Sequence, residues 1–263
     1  MKYELTKETI KVYRTTLYRV KYIESGELGG WIESEENLSQ DGDAHVIGNA
    51  RVYGDAHISD NAHISGDAYV LDNAYVYGDA HVSGKARVYG NVRVFDNAHV
   101  SDNACVFDNA HVYGNARVLD NARVFDNACV LGDAHVSGNA RVLDNARVSG
   151  NAYVLDNAHV SDNARVLGNA RVSGNARVSG DAYVYGGDWM SSPLQIHGSR
   201  FFFCVSSKES LSIGCHNKTI TGWIRTYKDE FNKHAFTEAQ QTEYKLYFNL
   251  AAQLYGWEER LPV

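Results

Sequence analysis

The sequence predicts an all-β solenoid, a chain wound into three-sided coils that stack in parallel. Three observations predict it. From Asp43 to Gly186 a six-residue phrase repeats without insertion or deletion: a small residue stands at 44, 50, 56 and every sixth position to 182, always alanine except Val92. Two residues later comes an aliphatic one, from Val46 and Val52 to Val184, making 24 consecutive hexads. Each phrase closes on Asp-Asn, Gly-Asp or Gly-Asn, with Gly84-Lys85 as the internal exception, and these residues tolerate the backbone angles of a sharp corner. The third observation is a period of 18: the residue after the aliphatic one sorts into three columns of different character. A prism with three unlike sides requires that period.

Within a hexad Ala and Val point to one side of an extended strand and the residues between and after them to the other. A strand this short buries nothing alone, so like must stack on like. The core is then a slim Ala/Val prism. The hexads resemble those of left-handed β-helices of the hexapeptide-repeat kind, and the resemblance implies a left-handed parallel β-helix of about eight coils over residues 30–186. The wider layout, with Gly29-Gly30-Trp31-Ile32-Glu33 and Asn37-Leu38-Ser39 ahead of the hexads, resembles uncharacterised phage and prophage β-helix proteins.

Residues 1–29 form the N-terminal cap. Ile10 and Val12 in one run and Leu17, Tyr18, Val20, Tyr22 and Ile23 in the next predict a β-hairpin covering the first coil, whose open edge would otherwise recruit other chains. Ile32 and Leu38 already sit in the alanine register, so the helix is expected to begin near Gly30. Residues 187–263 leave the repeat and form a small C-terminal α+β capping module. Leu194–His197, Arg200–Val205 and Ser210–Cys215 read as strands. Ile220, Trp223, Ile224, Tyr227 and Phe231 recur at helical spacing. A second helix starts at Thr237, which with Gln240 matches a capping box, and puts Tyr244, Tyr247, Phe248, Ala251, Leu254 and Tyr255 on one face before Gly256.

The chain has 263 residues, a net charge of -7 and 44% hydrophobic residues, enough for one repeat domain with terminal modules. Bulk charge argues against a nucleic-acid partner. No apolar run reaches membrane-spanning length and none marks a signal segment at the start, so no membrane partner and a cytoplasmic location are expected. Of four cysteines, Cys105 and Cys129 fall on different sides of the prism and cannot pair within one rod; Cys204 and Cys215 lie in the tail, and reduced thiols are expected. No motif calls for a cofactor.

Three groups of residues are candidate sites. The outward position after each alanine is drawn from His, Arg, Tyr and Cys. On the first side His45, His63, His81 and His99 make a column, a candidate metal ladder. Zinc needs ligands converging on one point and a straight column offers only neighbouring pairs, so the expected reading is a solvated face and no metal. On the second and third sides guanidiniums stand beside aromatic rings: Arg87, Arg93, Arg123, Arg141 and Arg147 with Tyr89, Phe95, Phe107, Tyr113 and Phe125. Arginine grips phosphates or carboxylates in bidentate fashion and the rings can stack on a base, while a continuous exposed aromatic row otherwise marks a subunit interface. The turn aspartates are near enough in sequence to pair with these arginines and absorb their charge. In the tail, Cys215 and His234 could form a thiolate–imidazole pair, and phage β-helix proteins have a similar Gly-Cys, helix and His arrangement, here Gly214-Cys215 and His234; neither an oxyanion hole nor a third catalytic member is identifiable.

These features favour a non-enzymatic scaffold or binding protein, a homo-oligomer of trimeric order as in many hexapeptide-repeat proteins, holding a nucleotide-like molecule or a host protein. Two alternatives stand beside it. An acyltransferase of this fold would carry a loop leaving the helix and one special histidine, and the hexads show neither. A polymer-forming structural protein would need open coil ends, and both ends carry caps.

Overall fold

The structure, a computed structural model, describes residues 1–262. Its main body is a parallel β-solenoid with three faces. Each hexad contributes a short strand, two residues long as in His63–Ile64 or Arg87–Val88 except for the four-residue His111–Gly114 and Cys129–Gly132, and these strands pair in parallel with those 18 residues away, as His63 with His81 and Arg87 with Cys105. The coils are tied by backbone bonds, His63 N–H to Ala80 O at 2.8 Å and Ser65 N–H to Val82 O at 2.9 Å. Every hexad alanine and aliphatic residue is buried, at 0–1% exposure. β-branched side chains suit this pleated surface, and alanine keeps the prism narrow.

Stacked strands number nine on the first face and, counting the strand Leu28–Ile32, nine on the second; the third has eight plus a single bridge from Leu38 to Ile58. The solenoid therefore has about nine coils rather than the eight counted from the hexads. The segment 28–38, whose Ile32 and Leu38 occupy core positions in a sequence that lacks the hexad phrase, adds to the second and third faces at the N-terminal end, and Asp188–Trp189 adds the ninth strand of the first face at the other end.

Corners explain the choice between Gly and Asp. Both adopt the left-handed region there, for instance Gly78 at φ +69° and Asp60 at φ +57°, a conformation that costs other residues strain. Asp adds a bond: the Asp60 carboxylate accepts the Gly78 N–H of the next coil at 3.0 Å, and Asp120 does the same for Gly138 at 2.9 Å. The following Asn side chains form ladders. Asn91 donates to Asn109 at 2.9 Å, Asn109 to Asn127 at 3.3 Å, Asn127 to Asn145 at 3.2 Å and Asn145 to Asn163 at 3.4 Å.

The N-terminal hairpin pairs β1 (Tyr3–Val12) with β2 (Thr15–Tyr22), and β2 lies antiparallel to β3 (Leu28–Ile32). It extends the second face by two strands, and its Tyr3, Val20 and Tyr22 are buried in one cluster with Ile32, Leu38, Ala44 and Val46, so it covers the first coil as expected. Individual side chains close the other two edges. Tyr22 Oη accepts from Val46 N–H at 2.7 Å and donates to Val46 O at 3.1 Å, and Asn37 Nδ2 donates to Ala56 O at 2.9 Å.

The tail has four antiparallel strands, β4 (Gln195–His197), β5 (Phe202–Ser207), β6 (Ser210–Ile213) and β7 (His216–Thr219), followed by α1 (Ile220–Lys233) and α2 (Glu238–Tyr255). The sequence reading lacks β7, whose polar His-Asn-Lys-Thr carries no apolar alternation. Thr237 and Gln240 do form the capping box, and Gly256 ends α2 at φ +71°. Leu254 differs from expectation: it is 62% exposed and continues a row with Leu246 and Leu250 on the outer side of α2. Tyr244, Phe248, Ala251 and Ala252 are the residues that pack inward.

Candidate functional site

The ten Arg and aromatic candidates do not converge on one point. Arg87, Arg123 and Arg141 lie on the second face with Tyr89, Phe107 and Phe125; Arg93 and Arg147 lie on the third with Phe95 and Tyr113. On each face the rings form a cofacial ladder. Tyr89–Phe107 and Phe107–Phe125 stack at 5.2 and 4.8 Å, and Tyr77–Phe95 and Phe95–Tyr113 at 5.0 and 4.7 Å. The spacing is the strand spacing, because each ring occupies the same position one coil further on. The rings are half-buried and the five arginines exposed.

The expected Arg–Asp pairing is absent: among the described residues no hexad arginine forms an ion pair with a carboxylate. The physical reason lies in the corners, where turn carboxylates are occupied by backbone N–H groups of the next coil. The arginine columns keep their charge unneutralised. A cleft of about 720 Å³ opens where the tip of the N-terminal hairpin, Ile10–Tyr13, overhangs Arg51, Arg87, Tyr53, Tyr69 and Tyr89, with the Arg51 guanidinium 4.9 Å over the Tyr69 ring.

On the first face His45, His63, His81 and His99 stack at 5.5, 5.1 and 4.8 Å with interplanar angles of 20°, 9° and 4°. Parallel rings direct their nitrogens in parallel, so three of them do not meet at one ion. Partial burial, and then the neighbouring imidazoles, hold His63 and His81 below the ordinary 6.5.

The tail brings together what the sequence left apart. β6 and β7 are joined by a two-residue turn, Gly214-Cys215, with Gly214 at φ +58°; this exposes Cys215 at the tip and starts β7 at His216. Glu230 and His234 stand four apart at the end of α1, on one side of the helix. All four residues line a cavity of about 90 Å³ walled by Phe201, Ile213, Trp223, Phe231 and Phe236. His216 Nδ1 lies 3.7 Å and His234 Nε2 3.5 Å from Glu230 Oε2. Lys218 holds the other oxygen, Oε1, at 2.6 Å, and that hydrogen bond draws the carboxyl below its usual range against the opposing effect of burial. Glu230 Oε2 and His234 Nε2 are both shielded from solvent and without a hydrogen-bond partner.

Thus His234 is in the site, whereas Cys215 is beside it, outside the set of mutually close polar atoms formed by His216, Glu230 and His234. The sequence analysis did not single out Glu230; its signal is the Glu-x-x-x-His spacing on a helix following a Cys-His turn. The other tail cysteine, Cys204, is fully buried. Burial pushes its thiol up to about 12, which keeps it protonated.

Among the described residues no helix is long and apolar enough to cross a membrane. A comparison with curated proteins finds no match. A family model described as the YdcK beta solenoid repeat matches residues 86–102, 134–150, 158–174 and 170–186, all inside the hexads. Through those stretches this chain is similar to that β-solenoid family, and it is a β-helix protein.

Proposed function

We propose that the protein is a non-enzymatic, rod-shaped scaffold or binding protein of the phage or prophage kind that associates with copies of itself, as a trimer, through its second and third faces. The observation that carries this reading is the pair of aromatic ladders. Continuous half-buried ring columns on two adjacent faces leave a long apolar strip facing water, and such strips mark association surfaces. A ring of three rods would set the second face of one against the third face of the next, a heterologous contact that closes on itself. The unneutralised arginines beside the rings then need counter-charge. A nucleotide-like anion or an acidic host protein meets that need, and the cleft under the hairpin tip, with two arginines and four tyrosines, supports the former.

Native mass spectrometry tests it. The wild-type chain is expected as a trimer, and Phe107→Arg with Phe125→Arg as a monomer that retains its β circular dichroism. A monomeric wild type overturns the reading. So does a trimer that survives these changes but is dissolved by Leu250→Glu with Leu254→Glu, since that would locate the interface on α2.

A further inference from the structure

Three features of the tail site converge on a ligand that the fold alone does not need. First, two polar atoms, Glu230 Oε2 and His234 Nε2, are shielded from water and lack partners. A buried polar atom without a hydrogen bond is costly, and at 3.5 Å the carboxylate oxygen and the imidazole nitrogen face one another without making one. Second, Glu230 is positioned from behind: Lys218 takes Oε1 and is itself fixed by Thr226 Oγ1 at 2.8 Å. That arrangement leaves Oε2 turned to the imidazoles, the way an outer partner orients a ligating carboxylate. Third, the distances fit an ion. Ligand atoms on a tetrahedron with bonds of about 2.1 Å stand roughly 3.4 Å apart, and the two Glu–His separations are 3.5 and 3.7 Å. The three ligand atoms all lie within 4.8 Å of one another, so the third edge closes with a small rotation of the His216 ring.

We propose that His216, Glu230 and His234 bind one divalent transition-metal ion, with zinc the best fit. Two imidazoles and one carboxylate suit zinc, and they are a poor set for calcium or magnesium, which take oxygen ligands. Three protein ligands leave a fourth position open. It borders the cavity lined by Phe201, Trp223 and Phe236, where a water molecule completes the shell. The ion is held by residues from both α1 and β7, so it fastens the end of the helix to the β6–β7 hairpin. The Lys218 ammonium opposes the ion's charge, and the site therefore binds more weakly than one with an unopposed carboxylate. The histidine ladder of the rod has no part in it.

The test uses the full chain, stripped with chelator and titrated with Co²⁺ as a spectroscopic substitute for zinc. The expected result is one Co²⁺ per chain, giving the strong visible absorption of a four- or five-coordinate ion, bleached by equimolar Zn²⁺. Glu230→Gln keeps size and a hydrogen-bond acceptor for Lys218 and should weaken binding at least tenfold; His216→Ala and His234→Ala should abolish the spectrum. His63→Ala with His81→Ala should leave the stoichiometry at one. Zinc should also raise the melting temperature of the wild type and not of Glu230→Gln, because only binding to the native state stabilises it. No Co²⁺ spectrum with the wild type, or one that persists in His234→Ala or disappears in the ladder variant, overturns the proposal.

Discussion

At the corners of the rod single residues are chosen for backbone angle and for what the next coil does above them. Gly138 has φ +73°, and a Cβ there would meet Asp156 N at 2.8 Å and Asp156 Cα at 2.9 Å; Gly48 has a similar φ of +69° but its nearest neighbour, Gly66 O, would be 3.3 Å away. Both positions resist L side chains, and only Gly138 is also blocked by backbone that cannot move aside. Gly48→Ala should therefore cost about 1–2 kcal/mol, the ordinary penalty of the left-handed region, and Gly138→Ala roughly 3 kcal/mol once the overpacking is added. Urea midpoints decide it: equal midpoints for the two variants would mean that the corner relaxes freely. The Gly/Asp/Asn restriction at corners was readable from the hexads. The pairing of the Asp60, Asp120 and similar turn carboxylates with the next coil's N–H was not, because it joins residues 18 apart and competes with the nearer arginines.

At the scale of elements, the first face carries a column of titratable imidazoles at strand spacing. Folded His63 is held below 6.5 by partial burial first and by His45 second, with Asp43 opposing; His81 by burial, then His99 and His63, with Asp79 opposing. The folded rings bind protons less readily than the unfolded ones. Their contribution to stability is therefore full above about pH 6.5 and is lost as the pH falls below it toward the depressed folded values. The melting temperature should drop between about pH 7.5 and 5.5, and His63→Gln with His81→Gln should reduce that drop. The same slope in wild type and variant would show that the ladder is not its source. The helices show how far an element can be read without its neighbours. The capping box of α2 is a local pattern of Thr237 and Gln240, and it was legible. Leu254 was misplaced because helical spacing alone does not say how wide the packed stripe is, and β7 was missed because its residues are polar on both sides. Glu230 acquires meaning only when the turn at Gly214-Cys215 brings His216 to the end of α1. No spacing within one element encodes that meeting.

For the whole molecule the dominant problem is two ends of a three-faced stack, each presenting unpaired backbone to water. At the C-terminal end the tail answers it group by group. Tyr185 N–H donates to Ser206 O at 2.9 Å, and Ser179 N–H to Gln195 Oε1 at 2.8 Å. Gln195 Nε2 donates to Arg177 O at 2.8 Å, and Ser192 Oγ accepts from Arg177 N–H at 2.9 Å. Side chains and a turned β5 edge thus replace the coil that would come next. An exposed edge of this length would template another chain. A chain ending at residue 186, whose N-terminal end stays capped, should therefore pair through its one open end and double the size of the assembly in light scattering, while a shorter change, Gln195→Ala, should loosen only the last coil and speed hydrogen exchange at Ser179. If the truncated rod instead keeps the size of the full-length assembly, the last coil is not templating. The tail's contacts would then serve the pocket of His216, Glu230 and His234 more than the rod, and metal-dependent stability would be confined to residues 187–262.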